Sequence, residues 1–400
     1  MWETKTLFRI ALLTVFLMAG NSVWAQRTGS AGGGPRLYES RTFQIYTDLS
    51  EVDARELLKD LETMIELVSK YFGHPCRKRI QMFVVEDLSR WSPEERGKML
   101  PEGLTSIQGG AGLTVTRVQQ YVGGPKIDAD AVVFAVSKHQ TPMHEAIHAY
   151  CGLTFGSTGP VWYSEGMAEV GKYFQAGEKG VNAPPYVIEY LKSEEPKPLD
   201  DIVNNPLERT GDSWQNYAWR WVLCHLLGYN ENYSQRFKPL GLAMMAGNNT
   251  GFNNAYGTQF REIEFEYQLF LQDLEPGYRA DLCGWDWKTR FRPLVGAAQL
   301  ACKVDAQRGW QASRAKCVAG EQYVVSATGE WSTGPDSSEG NGQLVGIIFQ
   351  DYVLGEPFPI PDGEPFTAPS DGQLYLRCQD DWGKLTDNQG SKTVRIKLAK

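Results

Sequence analysis

His144-Glu145-Ala146-Ile147-His148 is the stretch on which the reading of this chain turns. On a helix, residues four apart share a face, so His144 and His148 can aim two imidazole nitrogens at one metal ion. Glu145 projects beside them, within reach of a water at that ion, where a carboxylate serves as general base. The 400-residue chain has five histidines, His74, His139, His144, His148 and His225. With so few, on the order of 0.004 chance matches to such a pattern are expected. The arrangement therefore specifies a helix and a chemistry together.

A catalytic zinc site takes three protein ligands and leaves one position open. Downstream stands Val161-Trp162-Tyr163-Ser164-Glu165-Gly166-Met167-Ala168-Glu169. Between His148 and Glu165, residues 149–164 leave room for one helix to end, a loop on Gly152, Gly156, Gly159 and Pro160, and a second helix to begin. Two neutral imidazoles and one carboxylate leave a net positive centre that polarises a carbonyl. Glu169 lies one helical turn after Glu165. One carboxylate cannot readily serve as ligand and outer partner at once, so Glu165 is assigned to the metal and Glu169 to the N–H of a liganding histidine. The alternative for Glu169 is a solvated helix charge.

Together, His144-Glu145-x-x-His148 and Trp162-x-x-Glu165-Gly166-x-Ala168 resemble the gluzincin branch of zinc metallopeptidases. The resemblance spans about residues 41–290, with its specific motifs in 141–170. It implies His144, His148 and Glu165 as zinc ligands, Glu145 as base, and a peptide or protein substrate. Tyr217 resembles in position the tyrosine with which these enzymes hold the tetrahedral intermediate; the alternative is a core tyrosine. The spacing between ligands is shorter than in aminopeptidase relatives, and no Gly-x-Met-Glu-Asn segment is present. An endopeptidase is therefore expected rather than an aminopeptidase.

The remaining elements are read around that site. Residues 109–117 begin with glycines and then alternate, as expected of an edge strand that pairs with extended substrate. Asp128 to Val136 is a continuous apolar run, a buried strand leading into the active-site helix, for which Thr141 is the expected N-cap and Pro142 the first helical position. A helix from Ser213 to Leu227, stopped by Gly228, is largely apolar and carries Tyr217 and His225. Strands are predicted at Thr42 to Thr47 and Arg79 to Val85, and helices at about 52–72 and 258–274.

Residues 1–25 read as a signal peptide: Lys5 and Arg9, an apolar run from Ile10 to Ala19, and Val23-Trp24-Ala25 as a cleavage site. Export to a periplasmic or extracellular space follows, and no later segment has the length of a spanning helix. Residues 26–40 are expected to be a flexible linker. A net charge of −8 without a basic cluster argues against nucleic acid as partner.

From residue 300 to 400 short β-rich runs (Gln322 to Thr328, Leu344 to Phe349, Gln373 to Cys378, Thr393 to Leu398) alternate with turns, as in an all-β sandwich. The expected class is thus α+β, a zincin-like domain over 41–290 followed by a β-sandwich. The run Gly329-x-Trp331, Gly342-Gln343-Leu344-Val345-Gly346, Asp371-Gly372-Gln373-Leu374-Tyr375-Leu376 and Asp387-Asn388-Gln389-Gly390 resembles galactose-binding bacterial lectins that hold calcium. That likeness implies carbohydrate as a partner and Ca2+ on Asp380, Asp381, Asp387 and Asn388, hard oxygen donors within nine residues. The alternative there is a solvated hairpin loop. Seven cysteines outlast leader cleavage; Cys302–Cys317 is the expected disulfide, and Cys151 a buried apolar residue. Two functions follow. One is an exported zinc peptidase targeted by the sandwich; the other is a cell-surface glycan-binding protein on a non-catalytic metallopeptidase-like scaffold.

Overall fold

The computed structural model describes residues 8–11, 34–120, 127–175, 177–204, 213–335 and 340–399. The expected signal peptide and linker lie outside these, apart from Phe8–Ala11 and residues 34–40. The class is α+β, with an all-β C-terminal region. The chain divides into two compact units. The first holds residues 1–178, 197–225 and 236–255, and the second holds 179–196, 226–235 and 256–400. Three stretches that the sequence reading placed with the first region (179–196, 226–235 and 256–290) therefore group with the sandwich.

The first unit is built on a six-stranded sheet of β1 (Phe8–Ala11), β2 (Arg36–Glu39), β3 (Phe43–Thr47), β4 (Ile80–Val85), β5 (Gly112–Gln120) and β6 (Ile127–Val136), in the order β1-β5-β6-β4-β3-β2. β3, β4 and β6 run parallel, whereas β2, β5 and β1 are antiparallel to their neighbours. Two expectations are corrected here. Arg36–Glu39 is a strand rather than linker, because its backbone pairs with Gln44–Thr47. β5 is not the sheet edge while residues 1–25 are present, since Phe8–Ala11 pairs along Val115–Val118; cleavage of the expected leader would leave β5 at the edge.

Helix α1 (Glu51–Phe72) starts on Ser50, whose hydroxyl accepts from the Asp53 N–H, and ends on Gly73 in the left-handed conformation. It buries Leu58, Leu61, Met64 and Ile65, residues at helical spacing. Short α2 (Pro93–Arg96) and α3 (Pro101–Gln108) follow, and Trp91, Met99 and Ile107 pack with Phe83 and Phe134 of the sheet. Helix α4 (Thr141–Phe155) is buried continuously from Pro142 to Gly152. Its cap differs from expectation. His139 and Gln140 both take positive φ (57° and 55°), so the turn closes one residue earlier and Gln140 is the cap residue. Thr141 instead donates its hydroxyl back to the Lys138 carbonyl. Helix α5 (Val161–Lys172) follows, then α6 (Pro185–Ser193), α7 (Leu199–Asn204) and α8 (Trp214–Tyr229). α8 runs through Gly228, with the Asn230 N–H bonded to the Leu226 carbonyl, so that glycine does not stop it. α9 (Ser234–Met245), α10 (Phe252–Tyr256) and α11 (Phe260–Gln272) complete the α-helices among the described residues.

The second unit contains a two-sheet sandwich. One sheet has β11 (Trp331–Ser332), β17 (Gln389–Leu398), β10 (Gln322–Thr328) and β15 (Pro365–Thr367), with β8 (Gln299–Asp305) on β17. The other has β13 (Val353–Leu354), β12 (Leu344–Gln350), β16 (Gly372–Cys378), β9 (Gln311–Cys317) and β7 (Arg292–Pro293), with β14 (Phe358–Pro359) on β12. Leu300, Val304, Val325, Ile348, Leu374, Leu376, Val394 and Ile396 fill the space between the sheets. β12 is buried on both faces. Leu344 and Ile348 point into the sandwich, while Val345, Ile347 and Phe349 pack with Phe265 and Leu269 of α11 and with Trp285.

Candidate metal centre

Because α4 is buried on every side, its polar side chains have lost water and must find partners within the protein. Exposure falls to 3% for His144, 2% for Glu145, 4% for His148 and 1% for Glu165. The outer nitrogens are held first. His144 Nδ1 lies 2.9 Å from Glu169 Oε1, and the Lys172 ammonium donates to that same oxygen at 3.1 Å. His148 Nδ1 lies 3.2 Å from Ser164 Oγ. With Nδ1–H donated outward in each ring, each Nε2 carries a lone pair that faces inward.

The inward atoms meet. His144 Nε2 and His148 Nε2 are 3.1 Å apart, and Glu165 Oε2 is 3.3 Å from the first and 3.4 Å from the second. Neither Glu165 oxygen receives a well-formed hydrogen bond. Three electron-rich atoms so placed repel one another unless a proton or a cation stands between them. A point equidistant from all three lies about 1.9 Å from each, close to the ~2.0–2.2 Å of zinc–nitrogen and zinc–oxygen bonds. The donor set fits zinc. The electrostatics of the three groups express the same demand. Burial alone would lower the His144 pKa, but bonds to Glu165 and Glu169 override it and raise it to about 10. Burial likewise opposes the charge on Glu165, yet the fields of His148 and His144 and their contacts hold its carboxyl well below the usual range. Glu169, against the same burial, is held at about 2 by Lys172 and His144.

Among the described residues, His144, His148 and Glu165 are the group of three or more histidine, cysteine or acidic side chains placed to hold an ion. Their neighbours are set by β5 and α8. Along β5, Gly112 and Thr114 share the face toward α4. A Cβ at Gly112 would come within 2.6 Å of Glu145 Oε1, so only glycine admits this helix at that depth. Thr114 Oγ1 lies 2.7 Å from Glu145 Oε2 and 2.9 Å from the Glu145 carbonyl, fixing the carboxylate beside the site. Burial raises the Glu145 pKa, with His144, His148 and Thr114 opposing it. α8 approaches α5 closely at Gly166, where a Cβ would meet Cys224 Sγ at 2.4 Å. That contact brings Tyr217, 1% exposed, to a ring separation of 5.7 Å from His144. The Arg220 guanidinium lies 5.5 Å from the Tyr217 ring. His225 packs instead on Trp221, their rings 5.6 Å apart.

Sequence reasoning missed Ser164, Thr114, Lys172 and Arg220. Each had a weak signal: Ser164 adjoins a ligand, Thr114 alternates with Gly112, Lys172 follows Glu169 by three, and Arg220 follows Tyr217 by three.

In the sandwich, the three aspartates assigned to calcium do not gather on one point. Asp381 is exposed and pairs with Lys384 at 3.1 Å, and Asp387 is exposed. Asp380 is buried and accepts from Asn341 at 2.8 Å, while Asn388 is fully buried with no hydrogen-bond partner for Oδ1. All seven cysteines are free, which corrects the expected Cys302–Cys317 bridge. The two lie on strands of opposite sheets, in β8 and β9, each against the apolar interior. Cys151 is buried, and burial pushes its thiol up to about 12.

No protein-family model and no curated protein matches this sequence. A solved structure described as "EclA N-terminal domain; PllA-like lectin" matches 26% of this chain and 98% of its own, with 21% identity and a TM-score of 0.22.

Proposed function

We propose that the protein is a zinc-dependent peptidase of gluzincin type, with His144, His148 and Glu165 as ligands. The convergence of three buried ligand atoms, with the Glu165 oxygens unpaired, carries this reading, and Thr114 holds Glu145 beside them. When bound, zinc supplies a Lewis acid that polarises a carbonyl and acidifies water. Glu145 accepts the proton of the attacking water and passes it to the leaving amine; its raised pKa suits it to both tasks. The Tyr217 hydroxyl donates to the oxygen on which negative charge develops. Glu169 and Ser164 keep the two imidazoles in the tautomer that turns Nε2 inward. Among the described residues no helix is long and apolar enough to cross a membrane. Export rests on the leader-like residues 1–25.

Zinc stoichiometry and turnover of a denatured protein substrate test the reading. About one zinc per chain, absent from Glu165→Ala, with turnover abolished in a zinc-loaded Glu145→Gln, is expected. A wild-type chain that takes up no zinc overturns it.

A second reading concerns the sandwich and rests on Asn388 Oδ1, fully buried without a partner near the end of the acidic loop. Such an oxygen suits calcium as one hard donor, with a carbohydrate hydroxyl as an outer ligand. Calcium-dependent retention of the full chain on a galactose resin tests it; equal elution with calcium and with chelator rejects it.

A further inference from the structure

Beside the metal centre, in the same unit, the structure gathers two cations that the hydrolytic steps do not use. The Lys197 ammonium donates to Asn216 Oδ1 at 2.6 Å. Asn216, Tyr217 and Arg220 stand on one side of α8, since three or four residues make one turn. The guanidinium of Arg220, a residue only 3% exposed, sits against the Tyr217 ring, and that ring sits against His144. One helical turn therefore joins the ligand histidine, the tyrosine and both cations.

We infer that Lys197 and Arg220 form an anion subsite that receives a carboxylate of the substrate next to the scissile bond. The inference rests on the peptidase reading and gives it a substrate class. Arg220 is buried and Lys197 half-buried, and two cations brought together there repel each other. Burial, and then the Arg220 field, lower the Lys197 pKa, with Asp201 opposing. An anion bound between them relieves that repulsion. A guanidinium offers five N–H donors in a plane, so Arg220 can take a carboxylate oxygen while keeping a protein partner. The surrounding charge points the same way. A chain of net charge −8, with Glu145, Glu165 and Glu169 at the centre, repels an acidic substrate unless local cations receive it. The carboxylate has two sources, a free C-terminus or an internal Asp or Glu side chain.

The test uses the full chain loaded with zinc and a peptide series differing in charge alone: C-terminal acid against C-terminal amide, and internal Asp against Asn. Wild type is assayed for kcat and KM. Binding of the same peptides to zinc-loaded Glu145→Gln is followed by calorimetry, which does not depend on turnover. The subsite predicts at least about tenfold tighter binding and lower KM for one carboxylate over its neutral partner. Discrimination carried by the acid–amide pair assigns the C-terminus, and discrimination carried by the Asp–Asn pair assigns the side chain. Lys197→Gln, at a half-buried position, is expected to erase most of the discrimination, and Lys197→Arg to restore it, with zinc content unchanged in both. Arg220→Gln should act in the same direction. Equal binding and equal KM for charged and neutral peptides overturn the subsite even where hydrolysis proceeds. Preferential carboxylate binding without hydrolysis of any peptide upholds the subsite and removes the peptidase reading.

Discussion

Two buried carboxylates, one in each unit, meet opposite conditions. Glu165 is 1% exposed and neither oxygen accepts a good hydrogen bond. Glu266 is 3% exposed, and its oxygens accept from Asn230 and Asn232 side-chain amides, the Tyr233 hydroxyl, the Trp285 backbone N–H and the Trp287 indole, at 2.5 to 3.0 Å. Even so, burial outweighs those donors and leaves the Glu266 pKa above the usual range. A buried acid surrounded by donors organises structure. One facing two imidazole nitrogens calls for a proton or a cation between them. Burial alone does not separate the two cases, but counting partners does.

The comparison breaks first at the chemistry. Glu145→Gln should lower kcat by about 10²–10⁴ while zinc content stays at the wild-type value; retained turnover would remove Glu145 as base. Glu165→Ala should bind no zinc, yet melt cooperatively. Glu266→Ala should do the reverse. Five donors lose their acceptor, costing on the order of 3–5 kcal/mol, visible as a lower denaturation midpoint, while zinc uptake by the folded fraction is unchanged. If Glu266→Ala lost zinc without losing stability, the contrast between the two acids would fail. Ser164→Ala tests the orientation of His148 more gently. Zinc affinity measured by competition with a chelator should fall about 10–100-fold, with little change in the midpoint.

The smallest effect concerns Asp273 in the second unit. Burial, reinforced by the field of Glu275 and opposed by Arg377, Lys192 and Trp382, raises its pKa to about 7. A folded pKa above the unfolded value of about 4 means the folded state binds more protons between those pH values. Stability is then fullest below pH 4 and declines as pH rises through 7. Asp273→Asn should remove that decline, gaining about 1–2 kcal/mol over wild type at pH 8 relative to pH 5, read as a difference in melting temperatures. Parallel curves for the two proteins would show that Asp273 does not titrate there.

Much of the first unit was legible because its cues were local. The helical spacing over about 52–72 marked α1, the apolar run from Asp128 to Val136 marked β6, and the His144–His148 spacing marked α4. The ends were less so. The cap of α4 depended on two residues in positive φ, and α8 runs one residue past Gly228, to Tyr229. The outer partners of the histidines depend on tertiary placement, which adjacency only hints at. In the sandwich, a run of apolar residues at Leu344–Phe349 broke the alternation expected of a strand with one wet face. That break was the available sign of α11 on its outer side.

The chain passes between the two units at residues 178, 196, 225, 235 and 255 before it enters the sandwich for good. Neither unit is therefore a continuous passage of the gene. The donors that Asn230, Asn232 and Tyr233 bring to Glu266 are encoded ahead of Arg236–Ala255, which belongs to the first unit. A fragment starting at residue 300 would leave Phe349 and Tyr375 without Phe265 and Trp285. The two units are accordingly inherited as one: recombination cannot exchange the sandwich for another module without cutting through the partners of its own core.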